Sequence, residues 1–114
     1  MNEFLITLED RPGSLAECCE ALGKAGINII TGAGLGSSVA AAALVTEESS
    51  ETAAALEAIG VSFTMRNLHT ATINHVPGSL GNFTRNLAEK GVNLGSIYVI
   101  QTSDDGVVIG YSTD

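Results

Sequence analysis

The chain repeats itself. Residues 12–19 read Pro-Gly-Ser-Leu-Ala-Glu-Cys-Cys and residues 77–84 read Pro-Gly-Ser-Leu-Gly-Asn-Phe-Thr, an offset of 77 − 12 = 65 positions. At that offset Leu22 meets Leu87, Gly26 meets Gly91 and Asn28 meets Asn93, with Ile27/Val92 and Ile29/Leu94 beside them. Seven of the eighteen positions from 12 to 29 are identical, without a gap. A repeat of this kind implies one supersecondary unit used twice. The fold must therefore be one that a single short segment can encode.

The elements of that unit follow from local pattern. Each copy opens with a short β-prone run, Phe4–Leu8 and Thr70–Ile73. Pro-Gly then turns the chain. Ser14 and Glu17 have the spacing of a capping box, which predicts a helix start there. Leu15, Cys18, Cys19 and Leu22 fall at i, i+3, i+4 and i+7, one helical face; Leu80, Phe83 and Leu87 repeat the stripe. Gly26 and Gly91 are placed to end the helices. Strands are predicted at Ile27–Ile30 and Val92–Gln101, and Asp105-Gly106 signals a hairpin into Val107–Tyr111.

The matching stretch of the first copy is Gly34–Ser38 followed by Val39–Val45. Its alanines favour helix on propensity. The repeat sets Ala42, Ala43 and Leu44 against Val107, Val108 and Ile109, so a strand is predicted instead. The first copy then adds a helix over Ser50–Ile59, ended by Gly60, and a strand over Val61–Met65. The order β-α-β-β-α-β is the ferredoxin-like pattern. The second copy has no counterpart to Ser50–Arg66. The sequence thus predicts an α+β chain of two ferredoxin-like units with antiparallel sheets, residues 1–66 and 67–114, the second without its last helix and strand.

Charge and composition narrow the function. Five basic against thirteen acidic residues leave −8 at pH 7. Nucleic-acid binding rests on phosphate neutralisation, and no basic stripe is present to supply it. An anionic membrane surface is disfavoured for the same reason, and the longest apolar run, Val39–Val45, is far short of a membrane span. Cys18 and Cys19 are adjacent, which gives no disulfide framework and no zinc-ligand spacing; a reducing cytoplasm is the expected compartment. At least one of the pair is expected in the core, and His69 on a strand surface. Gly32-Ala33-Gly34 shares two glycines with a dinucleotide fingerprint, but position 37 is Ser and the segment joins strands, so it is read as a flexible hairpin and no cofactor is expected.

Glu9-Asp10-Arg11-Pro12-Gly13-Ser14-Leu15 with Ala25-Gly26-Ile27-Asn28-Ile29 resembles the signature of the ACT domain, a small amino-acid-sensing module. Asn74-His75-Val76-Pro77-Gly78-Ser79-Leu80 with Lys90-Gly91-Val92-Asn93-Leu94 repeats it. The resemblance implies a ferredoxin-like fold, side-by-side pairing of units and a ligand at the interfaces between them. Carried onto this chain, the ligand-binding positions it implies are Asp10, Arg11, Gly13, Ser14, Leu15 and Asn28, then His75, Val76, Gly78, Ser79, Leu80 and Asn93. The residue before each Arg/Val-Pro pair is Asp10 or His75, where the family often has Asn.

The chemistry of these residue types suits a zwitterion. A helix N-terminus receives a carboxylate, Gly lets a ligand approach backbone, and an Asn side chain both donates and accepts. The expected function is a regulatory protein that binds an amino acid or similar zwitterion and acts on a partner such as a metabolic enzyme. The second reading is a structural or oligomerisation module without ligand. An enzyme is not expected, because no acid–base pair or metal-ligand spacing is visible. The uncovered edge and face of the shorter second unit predict an obligate homodimer.

Overall fold

The computed structural model describes residues 1–36 and 39–113. The chain divides into two compact units, Met1–Asn67 and Leu68 onward.

In the first unit the order is β1 (Asn2–Thr7), α1 (Ser14–Lys24), β2 (Thr31–Leu35), β3 (Ala41–Thr46), α2 (Ser49–Ala58) and β4 (Ser62–Asn67). The sheet order is β2-β3-β1-β4, antiparallel throughout. β1 therefore sits between β3 and β4. Phe4 stands opposite Leu44 and Ile6 opposite Ala42, on one face. That face, with Cys18 and Leu22 of α1, Ile27 and Leu56 of α2, makes the core. Phe63 of β4 joins it with its ring centroid 5.7 Å from that of Phe4. A buried Thr46–Thr52 hydroxyl pair at 2.7 Å ties β3 to α2.

The Ala run is indeed a strand. Ala42 through Thr46 are all buried between β1 and β2. Pairing on both edges outweighs the helical preference of alanine, and the small side chains let the neighbouring layers close in.

In the second unit β5 (His69–Ile73), α3 (Ser79–Glu89), β6 (Leu94–Ser103) and β7 (Gly106–Thr113) form a sheet of order β5-β7-β6. Asp104-Asp105 is the two-residue hairpin loop between β6 and β7. Its core is smaller, with Leu68, Leu87, Val107 and Ile109 buried. Tyr111 bridges the layers, edge-on to Phe83 of α3 at 5.5 Å and beside exposed His69 at 5.3 Å.

Both long helices end alike. The N–H of Ile27 donates to Leu22 C=O and that of Gly26 to Gly23 C=O, each at 3.0 Å. Val92 and Gly91 donate to Leu87 and Ala88, also at 3.0 Å. This is the Schellman pattern, with Gly26 and Gly91 left-handed at φ 75°.

Four sequence expectations are corrected. Strands do not follow the helices at once: residues 27–30 and 92–93 carry the exit from the Schellman turn, so β2 begins at Thr31 and β6 at Leu94. Gly32 and Gly34 lie inside β2, not in a flexible hairpin. A Cβ on Gly32 would meet the Ala43 carbonyl and a Leu44 methyl at 2.8 Å, so close approach to β3 explains the residue. The expected turn residues Ser37 and Ser38 lie outside the described residues. Ser14 is not a helix cap but a buried first helical residue, and the Leu15/Leu80 ends of the two stripes lie at the margin of the core, exposed at 38% and 49%.

Candidate functional site

Each unit has one β–turn–α corner, residues 8–14 after β1 and 74–79 after β5. Pro bars helical conformation before it. Gly13 then takes φ 89°, ψ −10° and Gly78 φ 90°, ψ −14°, both left-handed. These glycines are the residues that precede the first helical turn, and neither α1 nor α3 has a side-chain cap. Ser14 and Ser79 are the first helical residues, donating their N–H groups back to Arg11 and Val76 C=O at 3.4 and 3.2 Å. A helix start without a side-chain cap presents N–H groups and a partial positive charge to whatever occupies the corner.

The corner of the first unit is charged. Arg11 Nε donates to Glu9 Oε2 and Nη2 to Glu17 Oε2, both at 2.8 Å. Glu17 thus serves an ion triad instead of a capping box. The hydrogen bond that Arg11 donates to Glu17, then that to Glu9, raises the Arg11 pKa. Reciprocally, the Arg11 hydrogen bond and charge lower that of Glu17. Beside the triad lies a cavity of about 310 Å³, closed on its other side by Ile59, Gly60, Val61 and Ser62 at the α2–β4 turn.

The corner of the second unit is apolar. A cavity of about 250 Å³ runs from Ile73–Val76, Ser79 and Leu80 to Val99, Thr102, Val107 and Ile109. Its far wall follows from register, since Val99 pairs with Ile109 and Thr102 with Val107. Val76, Leu80 and Val99 form its exposed rim, at 59%, 49% and 48%. The space beside Gly78 is open: a Cβ added there would meet nothing within 4 Å.

Of the twelve residues singled out by sequence, Arg11 and Ser14 line the first cavity and His75, Val76, Ser79 and Leu80 the second. Asp10, Gly13, Leu15 and Asn28, and likewise Gly78 and Asn93, do not line either. Asn28 and Asn93 lie exposed beyond the helix C-terminal turns. Sequence reasoning missed Glu9 and Glu17 as partners of Arg11, and the β6–β7 wall. The Arg-x₅-Glu spacing and the alternation of Val107 and Ile109 were the available signals. Elsewhere, burial pushes the Cys18 thiol pKa up, with Cys19 and Glu17 adding to the shift. Among the described residues no group of three metal-ligating side chains converges, and no helix is long and apolar enough to cross a membrane.

The sequence matches no known family profile and no curated protein. Solved structures do match. A protein of Bacteroides thetaiotaomicron superposes with a TM-score of 0.82 at 18% identity, over 99% of this chain and 78% of that one. The regulatory subunit of aspartate kinase from Thermus thermophilus, in its ligand-free form, gives 0.73 at 22% identity, over 97% and 81%. That from Thermus flavus gives 0.73 at 23%, over 98% and 80%. The fold of this chain is that of ACT-domain regulatory proteins, as the motif implied.

Proposed function

We propose that the protein is a ligand-sensing regulatory protein that binds an amino acid or a similar zwitterion at its β–turn–α corners. The site residues are Asp10, Arg11, Gly13, Ser14, Leu15 and Asn28 in the first unit and His75, Val76, Gly78, Ser79, Leu80 and Asn93 in the second. One observation carries the reading. Both helices leave a left-handed glycine with no side-chain cap, and each such corner adjoins a cavity. A carboxylate supplies the acceptor that these helix starts lack. Likeness in fold to the regulatory subunits of aspartate kinase supports a regulatory role, with a metabolic enzyme as the partner acted upon. A homodimer is part of the proposal, with units from two chains side by side.

A thermal-shift screen of the twenty amino acids tests it. A ligand bound only by the native state, at a hundredfold excess over Kd, contributes about 2.7 kcal/mol. For a domain of this size that raises Tm by about 10 °C. No shift with any amino acid at millimolar concentration overturns the reading.

A further inference from the structure

The two units treat one edge of their sheets differently, and the 65-residue offset allows a comparison position by position. In the first unit the outer edge of β1 is filled: β4 pairs with it at every residue from Asn2 to Thr7. α2 covers the adjoining face, where Phe4, Cys18 and Thr46 are fully buried. β5 is the counterpart of β1, and the sheet order β5-β7-β6 leaves it outermost. Among the described residues no strand pairs with its outer edge. The positions that match Phe4, Cys18 and Thr46 are His69, Phe83 and Tyr111. His69 is exposed and the other two are half-buried, with Tyr111 stacked on His69 at 5.3 Å and on Phe83 at 5.5 Å. A backbone edge and an aromatic cluster therefore lie open side by side.

This edge is also the one least protected against pairing. β5 (His-Thr-Ala-Thr-Ile) has no acidic residue, lysine, arginine or proline, and it runs against β7 without a register shift. Charges, prolines and bulges are the devices that blunt strand edges. Each of the other edge strands carries an impediment: Arg66 on β4, two register shifts on β6, and two glycines in five residues on β2.

Resting on the homodimer reading above, we propose that β5 pairs antiparallel with β5 of a second copy about a two-fold axis. The occupant is a second copy because a two-fold sets each side chain against one from the same strand, and a formally uncharged strand brings no like charges together there. Full overlap of the five residues puts Ala71 on the axis, His69 opposite the partner's Ile73 and Thr70 opposite the partner's Thr72. On one face of the joined sheets the two aromatic clusters meet. On the other stand two pairs of threonines, which hydrogen-bond across antiparallel strands. Two three-stranded sheets become one of six strands. The contact belongs to the second unit alone, because β4 fills the same edge of the first.

The test uses the full chain, with light scattering across a dilution series. Thr70→Lys/Thr72→Lys sets lysine against lysine twice and should raise the dimer dissociation constant about tenfold or more. Thr70→Lys/Thr72→Glu sets opposite charges at the same two places and should keep the dimer. Both threonines are exposed, so far-UV circular dichroism should match the wild type in each variant. Ala71→Cys should oxidise to a covalent dimer, because directly opposed residues of an antiparallel pair have Cα atoms about 4.5–5.5 Å apart, within disulfide reach. Thr64→Cys, at an exposed position of β4, should not cross-link. If the lysine variant fails to fold, the cross-link alone decides. A dimer that survives Thr70→Lys/Thr72→Lys, a folded Thr70→Lys/Thr72→Glu chain that is monomeric, or Ala71→Cys that cross-links no faster than Thr64→Cys would overturn the inference and leave a homodimer built on another surface. A folded wild-type monomer at every concentration would sink the homodimer reading and this inference together. Neither result touches amino-acid binding, which the thermal-shift screen decides.

Discussion

Gly13→Ala and Gly78→Ala separate conformation from ligand clearance. Both residues are left-handed, at φ 89° and 90°. An L-residue with a Cβ pays about 1–2 kcal/mol there. Replacing Gly also removes unfolded-state freedom, which returns about 0.4–1 kcal/mol. The net loss is about 1 kcal/mol at each site. Steric terms add little, because the new Cβ would meet only Arg11 Nη1 at 3.9 Å at position 13 and nothing within 4 Å at position 78. The two variants should therefore be destabilised equally. Urea unfolding read by circular dichroism gives the comparison, and Gly→Asn at either site should recover part of the loss, since Asn tolerates this region. Neutral Ala variants, or no benefit of Asn over Ala, would refute the left-handed assignment. A loss of ligand affinity at Gly78→Ala beyond the stability change would measure the crowding of a ligand by the new methyl.

The stripe on α1 should split in two. Leu22→Ala, fully buried, is expected to cost about 3–5 kcal/mol, whereas Leu15→Ala, exposed at 38%, should cost under about 1 kcal/mol in the same unfolding assay. The Glu17 carboxyl should titrate below its ordinary 4.5 because Arg11 holds it ionised. Its contribution is then present above pH 4.5 and is lost as pH falls through the lowered value, an effect that carbon-detected NMR titration will show and Arg11→Gln will abolish. Asn28→Ala and Asn93→Ala should each weaken amino-acid binding by about 1.5–3 kcal/mol in calorimetry if they touch a charged group of the ligand, and unchanged affinity in both would remove them from the site. Light scattering at low micromolar concentration should give twice the chain mass, and a folded monomer would refute the dimer.

The architecture was readable because the repeat aligned weak signals with strong ones. Ala42–Leu44 alone would pass for helix; set against Val107–Ile109 it could only be strand. The glycine stops at Gly26 and Gly91 carry their own geometry, and the structure has them as Schellman turns. What escaped was whatever depends on a partner distant in sequence. Glu17 fits a capping box on spacing, yet an arginine six residues earlier, on the far side of the Pro-Gly turn, takes it by an ion pair signalled only by the Arg-x₅-Glu spacing. Leu15 has core periodicity, yet it lies at the edge of the core beside Gly34 of β2 and stays 38% exposed. Gly32 looked like a loop residue because its cause, the carbonyl of Ala43 and the side chain of Leu44, lies on another strand. The same holds for the site. The motif turns, with the charged Glu9, Arg11 and Glu17 at the first, were visible as sequence, while the far walls of the two cavities come from α2–β4 and β6–β7.

A crystal structure grown with the amino acid that gives the largest thermal shift tests the central claim most directly. Density for its carboxylate is expected within about 2.7–3.2 Å of the first-turn N–H groups of α1 or of α3. Density for the ligand away from both β–turn–α corners would contradict the claim.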